Sequence, residues 1–347
     1  MIDRERLQAA YRTDGIYALQ LEVGDLCHQG CVYCYMNALT VAKNTLSDAQ
    51  ITRILQDARR LNIAAVEWLG GEPLLRRSIF RHMALARDLG LRNNIWTGGL
   101  PLADDRIRGR AARLARHGLI SVHVSTVDPT LYARLHPQRG ADDLVGILQA
   151  TEDLLQEGYP AAQILNSVTF TGLQPAADTI ETIDCFEERF GIKTSLNVYH
   201  TYLRSGSPPG ELERFIPARR EVARVYRRFS RQWGVRGFPM NCVNKQYCSA
   251  TIAVLCDGQV TPCATIRGPE FPSLHPAGSL LDVVGEHRDT LIFKSLKSPG
   301  NLPAGCRDCR LGATCWGCRS RAYAAGFGIN GPDPRCFRVA RSGAARK

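Results

Sequence analysis

The sequence predicts an open, parallel α/β barrel followed by a small cysteine-rich region, and three observations carry that expectation. Over the first 240 residues, short β-rich runs alternate with amphipathic helical stretches, the pattern of a parallel sheet with crossover helices. From about Gly237 the texture changes to short segments punctuated by Gly and Pro. The 13 cysteines are spread unevenly: three lie between 27 and 34, one at 185, and nine between 242 and 336.

Strands are expected at Tyr17–Val23, Ala64–Leu69, Asn94–Thr97, Ser121–Thr126, Ile164–Phe170 and Ser195–His200. Between them, apolar residues recur every three to four positions near 47–61, 74–89, 105–117, 141–157, 175–190 and 217–233, which is helical spacing. Six such βα units in register make a partial (β/α)6 TIM-type barrel, with its chemistry at the C-terminal ends of the strands. Residues 1–237 are assigned to the barrel and 238–340 to a small cysteine-rich domain, too irregular for a large core and dependent on metal for its fold. Residues 341–347 form a short basic tail, expected to fray.

Hydrophobic residues at 44% and charged residues at 22% of 347 exclude wholesale disorder. No uncharged apolar run is long enough to cross a bilayer, so no membrane role is expected. The opening Met1-Ile2-Asp3-Arg4-Glu5-Arg6 has no apolar stretch behind its charges, so no signal peptide is read and a cytoplasmic location is expected. The net charge of +11 comes from 38 Arg against 6 Lys, spread along the chain, with only 7% aromatic residues. That distribution reads as a solvated surface rather than a base-stacking platform for nucleic acid. Arg220, Arg224, Arg227, Arg228 and Arg231 fall at helical spacing and read as an outer helix face.

In a chain without an export signal, so many thiols read as metal ligands before disulfides. Cys27-His28-Gln29-Gly30-Cys31-Val32-Tyr33-Cys34 follows directly on the first strand. Three thiolates on one tight turn can hold a cubane of four irons and leave one iron open to a small molecule. A zinc site would want a fourth ligand, and none lies nearby. Cys185, in a helical stretch among apolar residues, reads as a small buried hydrophobe, and Cys256, before Asp257-Gly258, as a bystander to the later cysteines.

At this loop the chain resembles the radical S-adenosylmethionine (SAM) superfamily, and the resemblance runs through its first 200 residues. Tyr33 matches the aromatic that family members place beside the adenine. Gly70-Gly71-Glu72-Pro73 matches the GGEP motif at the methionyl amine of SAM; the glycines expose carbonyls and Glu72 supplies countercharge. His123-Val124-Ser125-Thr126-Val127-Asp128, placed on the fourth strand, resembles the segment where relatives touch the SAM carboxylate or ribose, with Ser125 the candidate contact. His123 itself reads as a core histidine. Gln29-Gly30 departs from the commoner asparagine-containing wording of the loop, with the spacing kept.

The later cysteines read Cys242-x5-Cys248-x14-Cys263, then Cys306-x2-Cys309-x5-Cys315-x2-Cys318, then Cys336. Taken alone, Cys306 to Cys318 reads equally as a zinc ribbon of a nucleic-acid-binding protein, but that leaves Cys242, Cys248, Cys263 and Cys336 unexplained. The whole pattern resembles the SPASM extension of radical SAM enzymes, with one residue fewer than usual before Cys318. That resemblance implies two auxiliary [4Fe–4S] clusters, one on Cys242, Cys248, Cys263 and Cys318 and the other on Cys306, Cys309, Cys315 and Cys336. With the cluster on Cys27, Cys31 and Cys34, three clusters and SAM are the implied cofactors.

The implied activity is a radical SAM oxidoreductase. SAM is cleaved reductively to a 5′-deoxyadenosyl radical, which abstracts a substrate hydrogen in maturing a ribosomally made peptide. Dehydrogenation or a related modification of a small molecule, such as a sugar, is the alternative. A low-potential donor of flavodoxin or ferredoxin type is the implied partner. The first cluster loop begins too near residue 1 to leave room for a peptide-recognition domain ahead of it, which weakens the peptide reading without excluding it, since a separate protein can supply such a domain. Glu22 and Glu67 lie on strands one and two and read either as buried bases or as structural hydrogen-bonding groups; no catalytic residue is assigned. The spacing from Cys242 to Cys263 looks most like the anaerobic sulfatase-maturing enzymes. Those relatives carry an aspartate base where this chain has Ala264, and Asp257 is not expected to replace it.

Overall fold

The computed structural model describes residues 2–38, 40–199 and 211–338. Helix α1 (Arg4–Arg12) leads into β1 (Ala18–Glu22), and the alternation continues through α2 (Asp48–Arg60), β2 (Ala65–Leu69), α3 (Ile79–Asp88), β3 (Arg92–Thr97), α4 (Asp105–Leu114) and β4 (Leu119–Val122). Then come α5 (Pro129–Leu135), α6 (Ala141–Gln156), β5 (Ile164–Phe170), α7 (Ala176–Phe190), β6 (Lys193–Val198) and α8 (Arg219–Gln232). The cysteine-rich part adds α9 (Lys245–Cys248), β7 (Thr251–Val254), β8 (Val260–Thr261), α10 (Leu280–Leu291), α11 (Ala304–Arg307) and α12 (Arg319–Ala324).

The strands form one sheet in the order β6-β5-β4-β3-β2-β1-β7-β8. Every neighbouring pair is parallel except β7 with β8. The sheet does not close on itself, so the architecture is the partial barrel expected. Period-two alternation sorts each strand. Leu19, Leu21, Val66, Trp68, Ile95, Ile120 and Val122 face outward into the main core, against Ile51, Ile54 and Leu55 of α2, Met83 of α3 and Ile147 and Leu154 of α6. Burying each such side chain is worth roughly 1.5–3 kcal/mol. The opposite face presents Gln20, Glu22, Glu67, Trp96 and Ser121 to the bore. Helix α2 starts at a capping box in which Ser47 and Gln50 satisfy each other's backbone N–H groups.

Three expectations need correction. The fourth strand ends at Val122, not Thr126. Beyond it the backbone N–H of Val124 is taken by the Asn166 side chain at 3.1 Å, and Ser125 Oγ accepts from Thr169 N at 3.0 Å. Side-chain bonds thus replace the strand ladder, and His123–Asp128 lies past the strand. The helix expected near 74–89 is two pieces, a 3-10 turn Pro73–Leu75 and α3. The cysteine-rich part is not uniformly irregular: β7 extends the barrel sheet beside β1. Ile252, Val254, Val260, Leu280, Val284, Leu291 and Ile292 belong to the main core. Strand six runs Lys193–Val198; His200, residues 339–340 and the 341–347 tail lie outside the described residues.

Candidate metal centres

The first loop leaves the end of β1 and folds back against the turn after β2. Gly71 N donates to Gly24 O at 2.8 Å and Glu72 N to Leu26 O at 2.7 Å. A Cβ on Gly71 would meet Leu26 O at 2.2 Å, and Gly70 adopts φ +135 with Gly24 O at 2.5 Å from its would-be Cβ. The two glycines therefore let the cysteine loop and the GGEP turn touch, a packing reason beyond the exposed carbonyls inferred from sequence. Pro73 opens the 3-10 turn that Glu72 caps.

Cys27, Cys31 and Cys34 come together in this loop. Burial pushes the Cys27 thiol up to about 12, with Glu72 and Cys34 adding repulsion. Burial also raises Cys31, helped by Cys34 and Cys27. Such mutual repulsion is what a metal relieves by taking thiolates as ligands. A cavity of about 300 Å³ opens beside Cys27 and is lined by Gln29, Glu72, Leu75, Leu100 and Arg139. Glu72 accepts from Thr97 Oγ1 at 2.8 Å, Gly98 N at 2.7 Å and Leu74 N at 3.1 Å. Burial outweighs these bonds and lifts its carboxyl to about 7.

Tyr33 is buried, and its hydroxyl lies 2.8 Å from His123 Nε2, 3.1 Å from Ser125 Oγ and 3.2 Å from His136 Nε2. Cys31 Sγ and one ring nitrogen of each histidine lie within 4.8 Å of one another. His136 Nδ1 pairs with Tyr132 O at 3.0 Å and the His123 ring with the Ser167 carbonyl. Burial depresses His123 to about 3 and His136 to about 4, so both are neutral. Ser125 is fully buried and its hydroxyl is engaged in this same network. His136 and Tyr132, invisible as motif residues, complete it.

The eight remaining candidate ligands fall into two sets. Burial and then Cys318, Cys248 and Cys263 raise the Cys242 thiol. Burial lifts Cys263 to about 11, with Cys318 adding to it. Cys306 is raised to about 11 by burial, with Cys315, Cys336 and Cys309 contributing. These are the two groupings implied by resemblance. Short elements aim the thiols: Cys248 ends α9, whose N-terminus Asn244 caps, Cys306 lies in α11, and Cys318 precedes α12. Gly317, at φ +73, lies where a Cβ would come within 2.7 Å of Asp333 Cβ, so only glycine fits at this position before Cys318. None of the thirteen cysteines, all of them described residues, forms a disulfide. Cys-only donor sets of this size suit iron–sulfur clusters.

The bore between the first loop and these sets is polar. Gln20 Nε2 donates to Glu67 Oε2 at 3.1 Å, Gln20 Oε1 accepts from Ala264 N at 2.9 Å, and Tyr247 Oη donates to Glu67 Oε1. Glu22, fully buried, accepts from Tyr35 Oη at 3.1 Å and pairs with Arg267. Both glutamates are therefore bonded structural groups. Trp96 Nε1 and Ser121 Oγ are buried without a partner among the described residues. Ala264 packs with Ala253, Leu255, Tyr35 and Leu69, an apolar setting, whereas Asp257 is exposed in the turn before β8.

Cys256 stands apart from the thiol sets, its N–H donating to Glu22 Oε2 at 3.2 Å. Cys185 is half-buried on α7 against the main core. Arg220, Arg224, Arg227 and Arg231 are exposed on α8, while Arg228 pairs with Asp184 and Glu187 of α7. The stripe is an outer helix face. Sequence reasoning missed Arg267, Asn241 and the Arg321–Asp333 pair, none of which sits in a recognisable motif.

Residues 21–184 match the sequence profile of the Radical SAM superfamily. The probable GTP 3′,8-cyclase of Methanopyrus kandleri is 28% identical over 208 residues, which are 59% of this chain and 61% of that protein. The chain thus spans less than two thirds of that relative. Streptococcus suis SuiB bound to S-adenosylmethionine matches with a TM-score of 0.65 at 17% identity, covering 96% of this chain and 80% of that one. Native anSMEcpe with bound AdoMet and Cp18Cys peptide matches at 0.64 and 13% identity, over 88% and 90% of the two chains. At these identities the structural likeness is one of fold. No helix among the described residues is long and apolar enough to cross a membrane.

Proposed function

We propose that this chain, whose residues 21–184 match the Radical SAM superfamily profile and whose later part is cysteine-rich, is a three-cluster oxidoreductase of the SPASM type, acting in the cytoplasm on a peptide substrate. Cys27, Cys31 and Cys34 hold the SAM-binding cluster. Cys242, Cys248, Cys263 and Cys318 hold one auxiliary cluster, and Cys306, Cys309, Cys315 and Cys336 the other. Held there with SAM, the first cluster would supply the one-electron reduction by which SAM yields a 5′-deoxyadenosyl radical able to take a hydrogen from the substrate.

The chain's own residues do the rest. The GGEP turn, held against the cysteine loop, offers the SAM ammonium backbone carbonyls and the Glu72 carboxylate. The Tyr33 network fixes the ring expected beside the adenine, with Ser125 in its frame. The polar bore, where Trp96 Nε1 and Ser121 Oγ are unpaired among the described residues, receives the substrate between the first loop and the Cys242 set. An external low-potential donor of flavodoxin or ferredoxin type reduces the first cluster, and a separate protein can present the peptide.

The gathering of eight further thiols into two sets of four carries this reading. The peptide named with anSMEcpe supports a peptide substrate. A second reading, radical modification of a small molecule, is favoured by the cyclase relative, whose name specifies a nucleotide. Anaerobically reconstituted protein should bind about 12 Fe per chain, as three four-iron clusters; about four would refute the three-cluster assignment. Co-expression with short peptides encoded beside this chain, read by mass spectrometry, separates the substrates. A mass loss of two hydrogens supports the peptide reading, and unmodified peptides with turnover of a nucleotide or sugar support the second.

A further inference from the structure

Asn241 is 2% exposed and immediately precedes Cys242. Its side-chain Nδ2 donates to Cys248 Sγ at 3.2 Å and to Gly317 O at 3.0 Å, while Oδ1 accepts from Trp316 N at 3.2 Å. Its backbone N–H donates to Cys315 Sγ. Met240 N and Gly317 N reach the same sulfur, each at 3.2 Å. Cys248 and Cys315 belong to different sets. One residue therefore donates to a sulfur of each, by its side chain to one and by its main chain to the other, with only its own short covalent path between.

The two sets are also ordered in space. Cys242 Sγ donates to Asn197 Oδ1 on β6 at 3.1 Å, and Cys263 lies near Glu67 on β2, so this set faces the bore. The other set packs beneath α8, where Cys315 and Cys336 meet the cluster of Val222, Val225, Tyr226 and Phe229.

We propose that Asn241 is the electronic bridge between the two auxiliary clusters. It sets the potential of the bore-facing cluster through Cys248 and carries an electron from that cluster to the one on Cys315. The step is a pure electron transfer: the Cys248-side cluster is oxidised by one electron, the Cys315-side cluster is reduced by one, and no proton or leaving group moves. Hydrogen bonds to cluster sulfur favour the reduced state and raise its potential. This inference rests on the three-cluster reading above.

The test uses full-length protein with nitrogen-15 only in its asparagines, reconstituted to about 12 Fe per chain. SAM is added to shift the signal of the barrel cluster aside. Both reduced auxiliary clusters should show nitrogen-15 hyperfine coupling, since Asn241 supplies a nitrogen to each. Absence of coupling from either auxiliary cluster in the wild type overturns the bridge, and this measurement needs no variant to fold.

In Asn241→Ala, labelled in its remaining asparagines, the coupling at the Cys315-side cluster should vanish and that at the Cys248-side cluster should fall to the part contributed by Asn197 beside Cys242. The potential of the Cys248-side cluster should fall in redox titrations, while the Cys315-side cluster, which keeps its backbone N–H bond, stays put. Asn241→Asp keeps an acceptor for Trp316 N and should reproduce the downward shift of the Cys248-side cluster. Unchanged potentials, or equal shifts at both clusters, also overturn the bridge. Iron of about four per chain refutes the cluster reading beneath it instead, so the two failures are distinguishable.

Discussion

Replacing Asp333 by Asn should be among the most damaging single changes outside the cysteines. Arg321 and Asp333 have 3% and 0% of their side chains exposed. Arg321 Nε and Nη2 donate to the two carboxylate oxygens at 2.9 and 2.7 Å, and Nη2 also reaches Met240 O at 2.8 Å. Asp333 in turn accepts from Cys318 N at 2.8 Å and Arg335 N at 3.0 Å. Burial alone would raise the Asp333 carboxyl, yet Arg321 and these donors hold it below its ordinary value. The pair thus clamps the loop before Cys242, the Cys318 turn and the segment leading to Cys336. The amide introduced by Asp333→Asn would turn an N–H toward the guanidinium or toward one of the backbone donors, and it would leave the buried Arg321 charge without its partner. Such a loss costs about 3–5 kcal/mol, against about 0–1 for an exposed pair. Arg321→Met should cost a similar amount, leaving the carboxylate unpaired. The double variant should fall short of the sum by about 0.5–3 kcal/mol, the coupling expected of groups in contact. The assay is urea unfolding of the reconstituted protein, followed by far-ultraviolet circular dichroism and by cluster absorbance. A cost below about 1 kcal/mol for Asp333→Asn, or strict additivity in the double variant, would refute the reasoning.

Four further outcomes are expected. Ile252→Ala, in β7, should destabilise the barrel by about 2–5 kcal/mol, because this side chain of the cysteine-rich part lies in the main core; a neutral effect in the same unfolding assay counts against that packing. Replacing Cys27, Cys31 and Cys34 together by Ala should leave about 8 Fe per chain and abolish 5′-deoxyadenosine formation, and retention of all the iron would sink the assignment of the first loop. Cys309→Ala should lower iron content and solubility while reductive SAM cleavage persists in the surviving protein, with substrate turnover lost. Equal loss of cleavage, in protein that keeps its barrel cluster, would argue against separate roles. Finally, a sulfatase-type Cys or Ser peptide should not be converted to formylglycine. Ala264 offers no proton acceptor in its apolar setting and Asp257 is exposed in a turn, and a missing base typically costs about 10²–10⁴-fold. Mass spectrometry showing loss of two hydrogens with stoichiometric 5′-deoxyadenosine overturns this expectation.

The barrel was legible because its signals are local. Alternation in Ala18–Glu22 and Ile164–Phe170 and three-to-four spacing in α2 and α6 are written within a few consecutive residues, and the observed bounds fall close to those expected. The fourth strand was read too long because Val124 and Ser125 look like strand residues. Instead of a strand ladder, Val124 N donates to the Asn166 side chain and the Ser125 hydroxyl accepts from Thr169 N, each more than forty positions away. β7 was missed for a related reason. Its four residues carry no alternation of their own, since all are buried, and pairing with β1 on one side and β8 on the other makes them a strand.

By itself the sequence determined the three-cysteine loop, the GGEP turn and the count of later thiols, since each is a matter of composition and spacing inside one short turn. Which thiols share a set came from resemblance, because no spacing rule links Cys263 to Cys318 across 55 steps of chain. Only the tertiary structure decided that Asn241 and Trp316, 75 residues apart, meet between the sets. It also decided that Arg321 and Asp333 bury their charges together, and that residues past 250 complete the barrel core. Burial makes these distant pairings obligatory: a polar group removed from water must find a partner, wherever in the chain that partner lies.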